Sequence, residues 1–187
     1  MRKRILALIA VLALVGALVP ATVLADTTST VTCTVSAYLV SVSVSDGSVD
    51  YGVLNLGAVQ NTAKYDATYN TNGMNTPQTQ LVTNTGTVNE VFRIKTSNAV
   101  GVTDWTLGET AESDTFTHAF NMGDTAYTGG KSIVFTKWTT ADSYVAAGTE
   151  TAPAGDNHLE LQIGMPTPVT DYEAHTITVT VLAEAAP

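Results

Sequence analysis

Three histidines, one cysteine and seventeen acidic side chains are the groups from which this chain would have to build acid–base, nucleophilic or metal chemistry. A nucleophilic thiol needs an electropositive setting that lowers its pKa. Cys33 instead stands between Thr32 and Thr34, in phase with Val31 and Val35, and is expected to pack as a small apolar residue. His118 shares a parity with Phe116 and Phe120, which makes it a hydrogen-bonded, partly buried strand residue. His158 falls in a loop and His175 opens a strand, so both are expected at the surface. The chain contains no Gly-x-Ser-x-Gly elbow, no His-Glu-x-x-His pair and no phosphate-cradling glycine loop. A protein that is not an enzyme is expected.

Hard oxygen ligands come closer to a site. Asp46-Gly47-Ser48-Val49-Asp50 and Asp156-Asn157 offer the loop oxygens that calcium uses. Neither carries the full calcium-loop pattern closing on Glu, and Asp and Asn are strongly favoured in turns for their own local hydrogen bonds. Turn formation is therefore the expected role, and no other cofactor or metal is implied. Trp105, Trp138, Tyr127 and Tyr144 would make a stacking platform for sugar rings if they shared an exposed face. The competing reading puts the tryptophans in the core, because only 7% of the chain is aromatic and a core needs such side chains.

Backbone recognition is the remaining chemistry. Residues 26–35 alternate polar and apolar side chains, carry little charge and contain neither Pro nor Gly. A segment of this kind adds to an open sheet edge, where main-chain hydrogen bonds give affinity and alternate side chains give specificity. The ordinary alternative is a first strand paired within its own domain.

Export sets the context. Arg2, Lys3 and Arg4 precede an apolar run over residues 5–19, and Val23-Leu24-Ala25 places small or modest residues before Asp26. This is the three-part secretory pattern, with cleavage expected after Ala25. No later stretch is apolar enough to span a membrane. Removing residues 1–25 takes three of the eight basic residues and none of the seventeen acidic ones, so the formal charge of −9 becomes about −12. Such acidity argues against nucleic acid and anionic membrane surfaces, which call for Lys/Arg patches. With one cysteine, no intramolecular disulfide forms, and the core alone must hold an exported fold.

The elements that would position these groups read as strands. Residues 30–45 alternate for longer than a usual strand and change phase at Leu39-Val40, which predicts a bulge or kink that carries one strand from one sheet to the other, with two separate strands as the alternative. Further strands are expected within residues 48–59, 64–69, 79–83, 88–96 and 105–107. Others follow within residues 116–122, 132–139, 159–163 and 175–181, with one helical turn over 141–147. Residues 149–157, rich in Ala, Gly and Pro, lead into the final pair of strands. The last two strands, Leu159-Glu160-Leu161-Gln162-Ile163 and His175 through Val181, are expected to pair as a hairpin across Met165-Pro166-Thr167-Pro168, each with one dry and one wet face.

Some of these segments carry a family likeness. Val49-Asp50-Tyr51-Gly52-Val53-Leu54 with Gly57 resembles the early strand of immunoglobulin-like domains in exported bacterial and archaeal surface proteins. Val82-Thr83-Asn84-Thr85-Gly86, followed by Val91-Phe92-Arg93-Ile94, resembles the hairpin that comes next in them. Tyr172 before Ile177-Thr178-Val179-Thr180-Val181 is similar to their last strand. The resemblance implies an all-β, antiparallel immunoglobulin-like β-sandwich of about eight to ten strands, filling residues 26–187 as a single domain after the signal peptide. It implies a secreted or cell-surface protein of the surface-layer, adhesin or fibre-subunit kind, whose partners are other copies of itself, other surface proteins or glycans. No second module is read in the sequence, which favours a self-assembling or free subunit over a spacer. A carbohydrate-binding module is the alternative.

Overall fold

The computed structural model describes residues Ala37–Pro187. The signal segment 1–25, the alternating segment 26–35 and Cys33 lie outside the described residues. Within them there are ten strands in two sheets and no helix: β1 (Val42–Val44), β2 (Val59–Asn61), β3 (Gln80–Asn84), β4 (Glu90–Val100), β5 (Thr106–Leu107), β6 (Thr115–Gly123), β7 (Thr136–Lys137), β8 (Val145–Thr151), β9 (Asp156–Gly164) and β10 (Thr176–Ala185). The larger sheet runs β1-β3-β9-β6-β5, with β2 also along β9 and β7 along β6; the smaller is β10-β4-β8. Every strand pair is antiparallel except β5 with β6.

Period-two alternation explains the long strands. Phe92, Ile94 and Thr96 of β4 are buried while Arg93 is exposed. Phe116, His118 and Phe120 of β6 point inward together, as do Leu159, Leu161 and Ile163 of β9. These faces meet in one core completed by Val82, Trp105 and Trp138, an all-β sandwich.

The expected closing hairpin does not form. β9 lies inside the larger sheet, with β6 on one edge and β3 and β2 on the other. β10 instead pairs with β4 in the smaller sheet, from Thr176 opposite Val100 to Ala185 opposite Glu90. Both edges of β9 are occupied by longer-range partners, and residues 165–175 are too long for a tight turn. They cross between the sheets, so the apolar face of β9 packs toward that of β10 instead of continuing it.

Other expectations change with local chemistry. Residues 64–69 form a turn-rich loop held by Asp66, which accepts from the backbone N–H of Thr68 (2.8 Å) and Tyr69 (3.0 Å), so Tyr65 and Tyr69 are exposed. Residues 48–58 are irregular; Gly52 and Gly57 sit at φ of 66° and 71°, a left-handed conformation that glycine tolerates and strands lack. Of residues 132–139 only β7 is strand, and β8 begins at Val145 where a helical turn was expected. Residues 149–157 are the end of β8, a turn, and the start of β9. The wet face expected of β9 is also absent, since Glu160 is only 1% exposed.

Candidate functional site

The residues proposed from sequence for sugar stacking do not share an exposed face. Trp138 is fully buried, with ring centroids 4.9 Å from His118 and 4.7 Å from Phe120, and its Nε1 donates to the Ile94 carbonyl at 3.3 Å. Trp105 is buried where β10 begins, stacked against His175. Tyr127 is buried, its hydroxyl donating to the Lys131 carbonyl at 2.6 Å. Tyr144 alone is half-exposed, and Lys95 Nζ lies 5.2 Å from its ring centroid. A platform needs a solvent-facing ring, and three of these four rings are buried; the core reading describes the tryptophans.

The histidines are dispersed. His118 is buried with its Nδ1 2.8 Å from Thr96 Oγ1, and burial pushes its pKa down to about 3. At neutral pH it is a neutral core residue. His158 lies in β9 rather than in a loop and is half-buried. His175 is not a surface residue either: its side chain is 4% exposed and both ring nitrogens face backbone carbonyls, of Thr103 at 2.8 Å and Glu173 at 2.9 Å.

The loop carboxylates make turns. Asp50 Oδ1 accepts from Gly52 N at 2.7 Å, Asp46 has φ 52°, and Asp156 Oδ1 accepts from the Thr83 hydroxyl at 2.6 Å. Asn157 is buried against Thr151. Among the described residues, no group of three His, Cys, Asp or Glu side chains is placed to hold a metal ion.

Three buried polar residues that the sequence did not flag, Glu160, Asn84 and Glu90, make structural hydrogen bonds, although Glu90 Oε2 has no partner among the described residues. Glu160 receives the hydroxyls of Thr62 (2.8 Å) and Thr79 (2.7 Å), and burial raises its pKa against the pull of those bonds. Asn84 donates to the carbonyls of Val88 and Thr151, both at 2.8 Å, and accepts from Gly86 N at 2.8 Å, which fixes the turn from β3 into β4. Glu90 Oε1 accepts from Ser41 N at 2.7 Å. Polar residues in phase with apolar neighbours, such as Asn84 after Val82, were the available signal.

One feature of the sandwich is left unfinished. β10 pairs with β4 on one edge only, and its other edge has no strand partner among the described residues. Ile177, Val179 and Val181 of β10 line a cleft of about 660 Å³ together with Val42 and Val44 of β1, Val49, Leu54, and Leu159 and Leu161 of β9. Tyr51 also lines it, its hydroxyl buried without a partner and its pKa raised by that burial and by the Glu160 charge. The chain reaches this region from Leu39, whose N–H and carbonyl bond to the Thr87 hydroxyl and Thr87 N–H, both at 2.9 Å. Comparison of the chain with family models, characterised proteins and solved structures finds no match.

Proposed function

We propose that this chain is an exported, non-enzymatic structural protein of the cell surface or extracellular space, whose copies assemble by strand addition through residues 26–35. The observation that carries the reading is the open edge of β10. It is a ten-residue strand whose outer edge offers its N–H and C=O groups to no partner among the described residues. An open edge of that length is a template for pairing unless it is covered. Segment 26–35 has the alternation and low charge that suit the role. The sandwich and the resemblance to immunoglobulin-like surface domains agree with this reading at the level of fold.

The test is to purify the chain from Asp26 onward and follow it by light scattering and electron microscopy. Oligomers or fibres that grow with concentration, and disappear when residues 26–35 are deleted from a chain that stays folded, support the reading. A species that remains monomeric at high concentration overturns it.

A further inference from the structure

We propose that the cleft beside β10 receives residues 30–36 of a second copy of this chain, with Val31, Cys33 and Val35 turned into it. This rests on the strand-addition reading above and assigns its receiving site.

The cleft has the chemistry of a strand that is missing. Along β10 from Val179 to Ala185 the pairing with β4 runs without a register shift, so its free edge presents a regular ladder. The competing edge at β8 is broken instead, by a register shift in its pairing with β4 and by Gly148 at φ 73°. Next to the β10 edge, Ile177, Val179 and Val181 remain only half-buried although they pack on the core. They line the cleft together with Val42 and Val44, and Val44 is itself 38% exposed.

A strand added to β10 would lay alternate side chains into this space and hydrogen-bond the open ladder at once. Thr30-Val31-Thr32-Cys33-Thr34-Val35-Ser36 matches both demands. Its apolar residues recur at every second position, as they do at Ile177, Val179 and Val181. Its other face is threonine and serine, suited to water. It carries no charge, so it enters the cleft of an acidic partner without a repulsive pair.

The described residues begin close to the end of β10. Leu39 is tied to Thr87, and Ala186 N bonds the Asn89 carbonyl at 2.8 Å, so the residues leading to segment 30–36 and the end of β10 both meet the turn between β3 and β4. With segment 30–36 as donor and the β10 edge, unpaired among the described residues, as acceptor, copies would join head to tail, an arrangement that gives filaments where it does not close into a ring.

Cys33 makes the proposal directly testable, because it is the only thiol in the chain. Val179→Cys and Val181→Cys place a second thiol at two positions along the cleft, where facing residues on neighbouring strands come within disulfide reach. Val134→Cys, at a residue 76% exposed and not among those lining the cleft, is the control. The variants are oxidised with copper–phenanthroline and run on non-reducing gels, with folding checked by circular dichroism. The expected result is a ladder of disulfide-linked multimers for at least one cleft variant, lost on adding Cys33→Ser, while Val134→Cys gives no comparable ladder.

Cross-linking confined within single chains overturns the second-copy occupant. Wild-type assembly without a ladder from either folded cleft variant overturns the site but leaves strand addition standing. A wild-type chain that stays monomeric removes both.

Discussion

The imidazole of His175 lies flat on the indole of Trp105, with ring centroids 3.6 Å apart and planes 19° from parallel. The imidazole is also close to Gly101, where an added Cβ would come 2.5 Å from two ring atoms. The imidazole thus joins the start of β10 to the connection between β4 and β5, with Thr103 and Glu173 carbonyls at its nitrogens.

His175→Ala is expected to destabilise the fold by about 1–3 kcal/mol, from the lost stacking and carbonyl contacts. Gly101→Ala should act on the same contact by displacing the ring. Urea unfolding of both single variants and the double variant checks this: the shared contact requires the two effects to be less than additive.

His118 predicts a loss of stability in mild acid. Its pKa is lowered from 6.5 to about 3 by burial, so on acidification the unfolded chain takes up the proton first. Its stabilising contribution is complete above pH 6.5 and is lost progressively as pH falls toward 3, reaching about 2 kcal/mol by pH 5. His118→Phe should remove this part of the pH dependence. Equal slopes between pH 7 and 5 for the variant and the wild type would contradict it.

Gly86→Ala should loosen the arrival of the first strand. A Cβ there would collide with the Leu39 carbonyl and with Glu90 Oε1, the group that holds Ser41 N. The expected cost is about 1–3 kcal/mol, typical of overpacking. Amide hydrogen exchange should rise first at Leu39 and Ser41, and unchanged protection there would refute the assignment.

Glu160→Gln should be tolerated within about 1 kcal/mol, because it removes a buried charge while keeping an oxygen for Thr62 or Thr79. Glu160→Ala strands both hydroxyls and should cost about 2–4 kcal/mol. Since burial raises the Glu160 pKa, its charged form costs stability as pH rises through the folded pKa, and Glu160→Gln should flatten that part of the profile.

Trp138→Ala should cost about 3–5 kcal/mol, as removal of a fully buried aromatic does. Thermal unfolding measures this. A variant as stable as wild type would mean that the ring is not a core residue.

Local pattern was enough for the all-β class, the sandwich, and the inward faces of β4, β6 and β9. Alternation at Phe92-Ile94, Phe116-His118-Phe120 and Leu159-Leu161-Ile163 is a property of consecutive residues, and the pleat turns it into a buried face whatever the neighbours are. The turn at Asn84-Thr85-Gly86 is likewise a property of consecutive residues, but the hairpin that the resemblance implied there does not form, because β3 lies in the larger sheet and β4 in the smaller. The strand switch expected at Leu39-Val40 falls largely outside the described residues, within which only Val42–Val44 of that stretch is strand.

Pairing partners were not legible, because alternation fixes which face is apolar and says nothing about which edge meets which. β9 and β10 have the pattern of a hairpin, yet the edges of β9 are taken by strands far away in the chain and β10 passes to the other sheet. Burial of Glu160 was equally hidden: its parity marks an outward face, and only tertiary structure brings Thr62 and Thr79 over it. The open edge of β10 and its cleft belong to this second kind of information. They arise because no described strand pairs with the outer edge of β10, and its own sequence, Thr176 to Ala185, would read the same with both edges covered.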